Sequence, residues 1–142
     1  MSKILVIGQA PPAVRQKLPY DTTMFYDWLA AIGIDKNQAQ NLFEFDAVYG
    51  KFPGRTEDGS HAVPSKEQMD EYWDANLGQK MLDHTKIWIV GNVARDYLVK
   101  YREKSLLSKD LMFTMHPSKR NMDAFRKVRA VMLDRIKRFI YG

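Results

Sequence analysis

The chain of 142 residues contains no cysteine. That absence excludes disulfides, thiolate zinc sites and cysteine-ligated iron–sulfur clusters, and it matches the reducing interior of a cell. Long apolar runs are missing too: none approaches the roughly 20 residues that a membrane-spanning helix needs. No membrane partner is therefore expected. The amino terminus, Met1-Ser2-Lys3, passes straight into a strand-like segment without the apolar core and cleavage site of a signal peptide, so a cytoplasmic location is expected. There is no internal repeat, no low-complexity tract and no shift in composition, and residues 1–142 are expected to form a single domain. His61 and His84 have no partners at metal-ligand spacing, so no metal and no other cofactor is expected.

What is present is a globular mix, 45% hydrophobic and 27% charged, enough for a real core. The formal net charge is +5 and the sequence pI is about 9.4. Such a surface favours a polyanionic partner, because neutralised phosphates release counterions. A scattered excess of Lys and Arg is equally the mark of an ordinary solvated surface.

Apolar periodicity organises the chain into alternating elements. Residues 3–7 read as a buried strand stopped by Gly8, and prolines bracket a loop from Pro11 to Pro19. Asp21, Thr22 and Thr23 are good N-caps for a helix carrying Phe25, Trp28, Leu29 and Ile32, which Gly33 ends. Leu42 to Val48 is a second strand, followed by a long irregular loop from Gly50 to Pro64. Ser65 and Gln68 form a capping box for a helix that turns Met69, Trp73, Leu77 and Met81 inward. Ile87 to Val90 is a third strand stopped by Gly91. Val93, Ala94, Tyr97, Leu98 and Tyr101 continue as a helix, and Leu111 to Met115 is a fourth strand. A last helix carries Phe125, Val128, Met132, Ile136 and Phe139 on one face, with basic residues outside it. Four strands alternating with four helices predict a parallel sheet with helices on both faces.

Two short motifs follow the first and last strands: Gly8-Gln9-Ala10-Pro11-Pro12 and His116-Pro117-Ser118. In one parallel sheet both lie at the carboxyl edge, where open α/β sheets bind ligands. Strand two runs through Asp46 toward Tyr49 and Gly50, strand three ends in Gly91-Asn92, and Tyr20 and Asp21 lie in the loop after strand one. The edge therefore collects an imidazole, carboxylates, amides, a hydroxyl and an aromatic plate.

These segments, in this order, resemble the uracil-DNA glycosylase superfamily. Gly8-Gln9-Ala10-Pro11-Pro12 is similar to its first motif, a Gly-Glu/Gln-Ala/Asp-Pro-Gly/Tyr loop, and His116-Pro117-Ser118 matches its His-Pro-Ser/Ala loop. Leu18-Pro19-Tyr20 is placed like the segment with a base-stacking aromatic. Phe25 to Gly33 resembles the helix that follows it, Ile87 to Ala94 the Leu-Gly-x-x-Ala strand and turn, and Arg120-Asn121 the family's approach to its last helix. The resemblance implies a three-layer α/β/α fold around a four-stranded parallel sheet. It also implies a monofunctional glycosylase that flips uracil or a related damaged or modified base out of DNA and hydrolyses its glycosidic bond. No lysine in the motifs offers a Schiff-base nucleophile.

By the same resemblance, His116 donates to the departing base, Tyr20 stacks on it, and Gly8, Gln9 and Ala10 shape the pocket floor and the water site. Pro11, Pro12, Pro117 and Ser118 grip the neighbouring phosphates, and Arg120 or Asn121 steadies the duplex at the vacated space. The expected partner is DNA with an everted base, bound by a monomer. The chain departs from the family pattern at two points. Ala10 stands where many uracil glycosylases carry a water-activating Asp; Asp21 is a candidate acid, although it is equally a helix N-cap. Asp46 falls near the position where the family reads the base with Asn. An ionised Asp only accepts hydrogen bonds. Either the alignment slips there, or burial protonates Asp46, or the base is not plain uracil, or Asp46 is a strand-end residue that accepts backbone bonds. The alternative function is a glycosylase-fold module that binds DNA or protein without catalysis; a small-nucleotide enzyme using the same edge is a third reading.

Overall fold

The computed structural model describes residues 3–9, 23–59, 62–115 and 122–142. Among these, four strands form one parallel sheet in the order β2-β1-β3-β4. They are β1 (Ile4–Gly8), β2 (Phe43–Ala47), β3 (Lys86–Val90) and β4 (Asp110–Thr114). Seven α-helices accompany them among the described residues: α1 (Thr23–Ala31), α2 (Lys36–Leu42), α3 (Lys66–Tyr72), α4 (Gly78–Asp83), α5 (Asn92–Tyr101), α6 (Glu103–Leu106) and α7 (Met122–Tyr141).

The side-chain alternation of β1 divides the core into two layers. Ile4 and Val6 point to one face, where they meet Trp28, Leu29, Ile34, Phe43, Trp88 and Ile136 from α1, the α1–α2 turn, β2, β3 and α7. Leu5 and Ile7 point to the other, against Met69, Leu77, Met81, Ala94, Tyr97 and Leu98 from the α3–α4 region and α5. The fold is thus the three-layer α/β/α arrangement that the alternating pattern predicts.

The sequence signals act where expected. Gly33 ends α1 at φ 86°, with Ile34 N–H on the Leu29 carbonyl and Gly33 N–H on that of Ala30, the paired bonds of a glycine-terminated helix. Ser65 accepts from the Gln68 amide while the Gln68 side chain accepts from the Ser65 N–H, so the expected capping box is present.

The structure differs from the sequence reading at four points. Residues 36–42 form α2, capped by the Asp35–Gln38 box, a helix beyond the expected four, and Leu42, expected to open the second strand, ends it; the polar run Lys36-Asn37-Gln38 hides its apolar face. Glu103–Leu106 adds a short α6. The helix after Ser65 is continuous from α3 to α4 but widens into a π turn at Trp73–Leu77, where Gly78 N–H reaches back to the Trp73 carbonyl. On α7, Ile136 is fully buried as expected, whereas Val128, expected on the same apolar face, is 42% exposed.

α3 and α5 are tied by one carboxylate. Asp70 accepts from Lys66 at 2.6 Å, from the Tyr97 hydroxyl at 2.7 Å and from Arg102 at 3.1 Å. The Lys66 bond, followed by that of Tyr97, holds the Asp70 carboxyl below the usual carboxylate range. Burial, then the bond to Asp70, pushes the Tyr97 hydroxyl up to about 12.

Candidate active site

The registers put the ends of all four strands on one row. Gly8 pairs with Ala47, Ile7 with Ile89, and Val90 with Thr114. β1, which runs into the first motif, and β4, which precedes the second in the chain, thus end at the same carboxyl edge. The two exits are separated by only β3, about 10 Å at ordinary strand spacing. Gly8, at the end of β1, accepts the Val48 N–H at 3.0 Å, so the backbone leaving β2 is bonded to the start of the first motif. Gly91 occupies φ 89° and donates to the Thr114 carbonyl at 2.9 Å, closing β3 onto the end of β4. Only glycine reaches that φ without strain. Beneath this bond the buried Trp88 indole donates to the Thr114 hydroxyl at 2.9 Å.

Gln9 sends its amide to the Ala62 carbonyl at 3.3 Å, so the first motif holds the far end of the long loop after β2. That loop closes on itself through Ala62 N–H on the Gly54 carbonyl and Arg55 on the Gly59 carbonyl, each at 2.9 Å. The exposed Arg55 guanidinium lies over the Phe52 ring, and Lys66, also exposed, pairs with Asp70. Of the expected site residues, Gly8, Gln9 and Asp46 are thus brought to one edge. Ala10, Pro11, Pro12, Tyr20, Asp21, His116, Pro117, Ser118, Arg120 and Asn121 lie outside the described residues.

Asp46 is buried one residue below the edge, and four donors surround its carboxylate. Oδ1 accepts from the Tyr72 hydroxyl at 2.6 Å and from Ala47 N–H at 2.7 Å. Oδ2 accepts from Lys80 Nζ at 2.6 Å and from the Asn76 amide at 3.2 Å. The Asn76 amide also donates to the Tyr72 oxygen at 2.6 Å. Burial, then the Asp46 bond, pushes the Tyr72 hydroxyl well above the ordinary tyrosine value, so it remains a donor. Sequence reasoning did not single out Tyr72, Asn76 or Lys80. Their signal is a spacing of four, which lays them along one helix face beside the apolar line Met69, Trp73, Leu77 and Met81. The π turn lies within this stretch, as such turns often do at functional sites.

His84 is buried with Nε2 at 2.8 Å from Glu44 and Nδ1 at 2.6 Å from the Lys80 carbonyl, a structural tie between α4 and β2. Among the described residues no three His, Asp or Glu side chains converge on a point that could hold a metal ion. Nor is any described helix long and apolar enough to cross a membrane.

The model of the uracil DNA glycosylase superfamily matches residues 1–139. The chain belongs to that superfamily. No curated protein sequence matches it. The match spans both motifs and all four strands, so the superfamily's parallel-sheet fold and the observed row of strand ends describe the same molecule.

Proposed function

We propose that the protein is a DNA glycosylase that everts uracil or a related modified base and hydrolyses its glycosidic bond without forming a Schiff base. One observation carries this reading: the strands leading into the two motifs of a superfamily member end on the same sheet edge, two strand spacings apart. A base inside a duplex is out of reach, and extruding it costs a few kcal/mol. Stacking on an aromatic returns roughly 1–3 kcal/mol, and Tyr20 is assigned that role. Bond cleavage leaves an oxocarbenium-like sugar and an anionic base. His116 is assigned as the donor to that anion, a task a neutral imidazole can perform. Gly8, Gln9 and Ala10 form the floor, and Asp21 is the candidate acid near the sugar. The proline-rich loops and the Arg120–Asn121 pair hold the backbone of the opened duplex.

A second reading, a DNA-binding module without catalysis, is favoured by Ala10 and by the fully engaged Asp46 carboxylate. Labelled single- and double-stranded oligonucleotides carrying uracil, hydroxymethyluracil or hypoxanthine, treated with alkali after incubation, separate the two. Strand breaks at one of these bases that vanish in His116→Ala support the glycosylase. Tight, steeply salt-dependent binding with no break at any base supports the module.

A further inference from the structure

We propose that Asp46 is a positioning residue of the edge site, not a reader of the everted base: with Tyr72, Asn76 and Lys80 it braces the backbone at Gly50, where the loop after β2 leaves the sheet. A carboxylate offers about four lone-pair positions. Those of Asp46 are met by Tyr72, Ala47 N–H, Asn76 and Lys80, three of them within 2.7 Å. The Asn76 amide spends both hydrogens inside the network, one on Asp46 and one on Tyr72. The Tyr72 hydroxyl donates to Asp46 while accepting from Asn76, so each donor meets an acceptor within the cluster. No acceptor position of Asp46 is left for a base.

The network acts through the Tyr72 ring. A Cβ built on Gly50 would run into that ring, with Cδ1 at 3.0 Å and Cζ at 3.1 Å. The ring therefore sits flush against the Gly50 backbone, two residues beyond Val48, whose N–H is bonded to Gly8 at the root of the first motif. A hydroxyl anchored on Asp46 fixes the ring, the ring fixes Gly50, and the loop wall beside the first motif is held in place. Asp46 is buried and Lys80 half-buried in their ion pair, so removing Lys80 or Tyr72 leaves a buried carboxylate short of a donor. The bracing is independent of what the site does; only its effect on base release rests on the glycosylase reading.

Asp46→Asn, Tyr72→Phe and Gly50→Ala test both parts. Trypsin cuts after Lys51 and Arg55, both exposed on this loop, and mass spectrometry reads the native cleavage rate at each bond. All three variants are expected to be cut several-fold faster there than wild type; unchanged rates overturn the proposal. In base-release kinetics, Asp46→Asn and Tyr72→Phe are expected to lower kcat by a similar factor, roughly 10- to 100-fold as small misplacements do. The order of preferred bases should be unchanged, and the double variant should be no worse than the singles. A changed base order in Asp46→Asn alone overturns the proposal and makes Asp46 a reader. Faster proteolysis with full activity overturns the positioning role. If Asp46→Asn does not fold, Tyr72→Phe, which removes one hydroxyl and keeps the ring, carries the same comparison. Wild-type protein that releases no base defeats the glycosylase reading, while the proteolysis still decides the bracing.

Discussion

Trp88 and Thr114 join β3 to β4 immediately before the second motif, and their removal has a calculable effect. Both are buried, Trp88 completely, and the indole donates to the hydroxyl at 2.9 Å. Thr114→Val keeps the shape and takes the acceptor away. The indole N–H then loses that bond in a dry site, at a cost of about 2 kcal/mol. Trp88→Phe shrinks a side chain that also packs edge-on against Phe43 at 5.8 Å between centroids. About half of the 3–5 kcal/mol of a full truncation, plus the lost bond, gives about 3 kcal/mol. For a chain this size each kcal/mol moves Tm by about 4 °C, so the expected drops are about 8 and 12 °C. The double variant removes both polar partners together and should cost about 1 kcal/mol less than the sum. Urea unfolding followed by far-ultraviolet circular dichroism measures this without relying on tryptophan emission. Strict additivity, or a Thr114→Val variant as stable as wild type, would refute the claim that this bond holds the exit of β4.

Gly78→Ala should destabilise, although helix propensity alone predicts a gain of about 1 kcal/mol. The new Cβ would lie 2.9 Å from the Trp73 indole nitrogen and 3.0 Å from its carbonyl oxygen, inside the π turn. A lowered urea midpoint checks the sign. At high pH, Tyr97 keeps its proton to about 12, and Tyr72 is raised in the same direction. A folded-state value above the unfolded value near 10 means that this stabilisation is complete below about pH 10 and is lost as pH rises toward 12. Stability against pH should fall across that window and fall less in Tyr97→Phe; tyrosinate absorbance of the folded protein should show a component ionising well above pH 10 that shrinks in Tyr97→Phe.

The sheet was legible because its signals are local and redundant. Ile4-Leu5-Val6-Ile7 and Ile87-Trp88-Ile89-Val90 are continuous apolar runs stopped by glycine, and both became central strands. The Ser65–Gln68 box fixed a helix start for the same reason. α2 escaped because its buried contribution is mainly Ala39, too small to mark a period. The Asp46 cluster escaped for a different reason. A carboxylate on a strand shows its residue type in sequence, but the Tyr72, Asn76 and Lys80 that saturate it lie 26 to 34 positions away. Their convergence depends on how a π-widened helix crosses the sheet. The family motifs were legible as motifs; that β1 and β4 stand two places apart is a property of strand order, which no local pattern encodes.

Hydrogen–deuterium exchange with a duplex carrying a non-hydrolysable deoxyuridine analogue tests the shared edge most directly. The peptides spanning residues 8–12 and 114–118 should both exchange more slowly with this duplex than with undamaged DNA of the same sequence. Protection of only one of them, or of neither while the lesion duplex is fully bound, would contradict a single site built from the two ends of the chain.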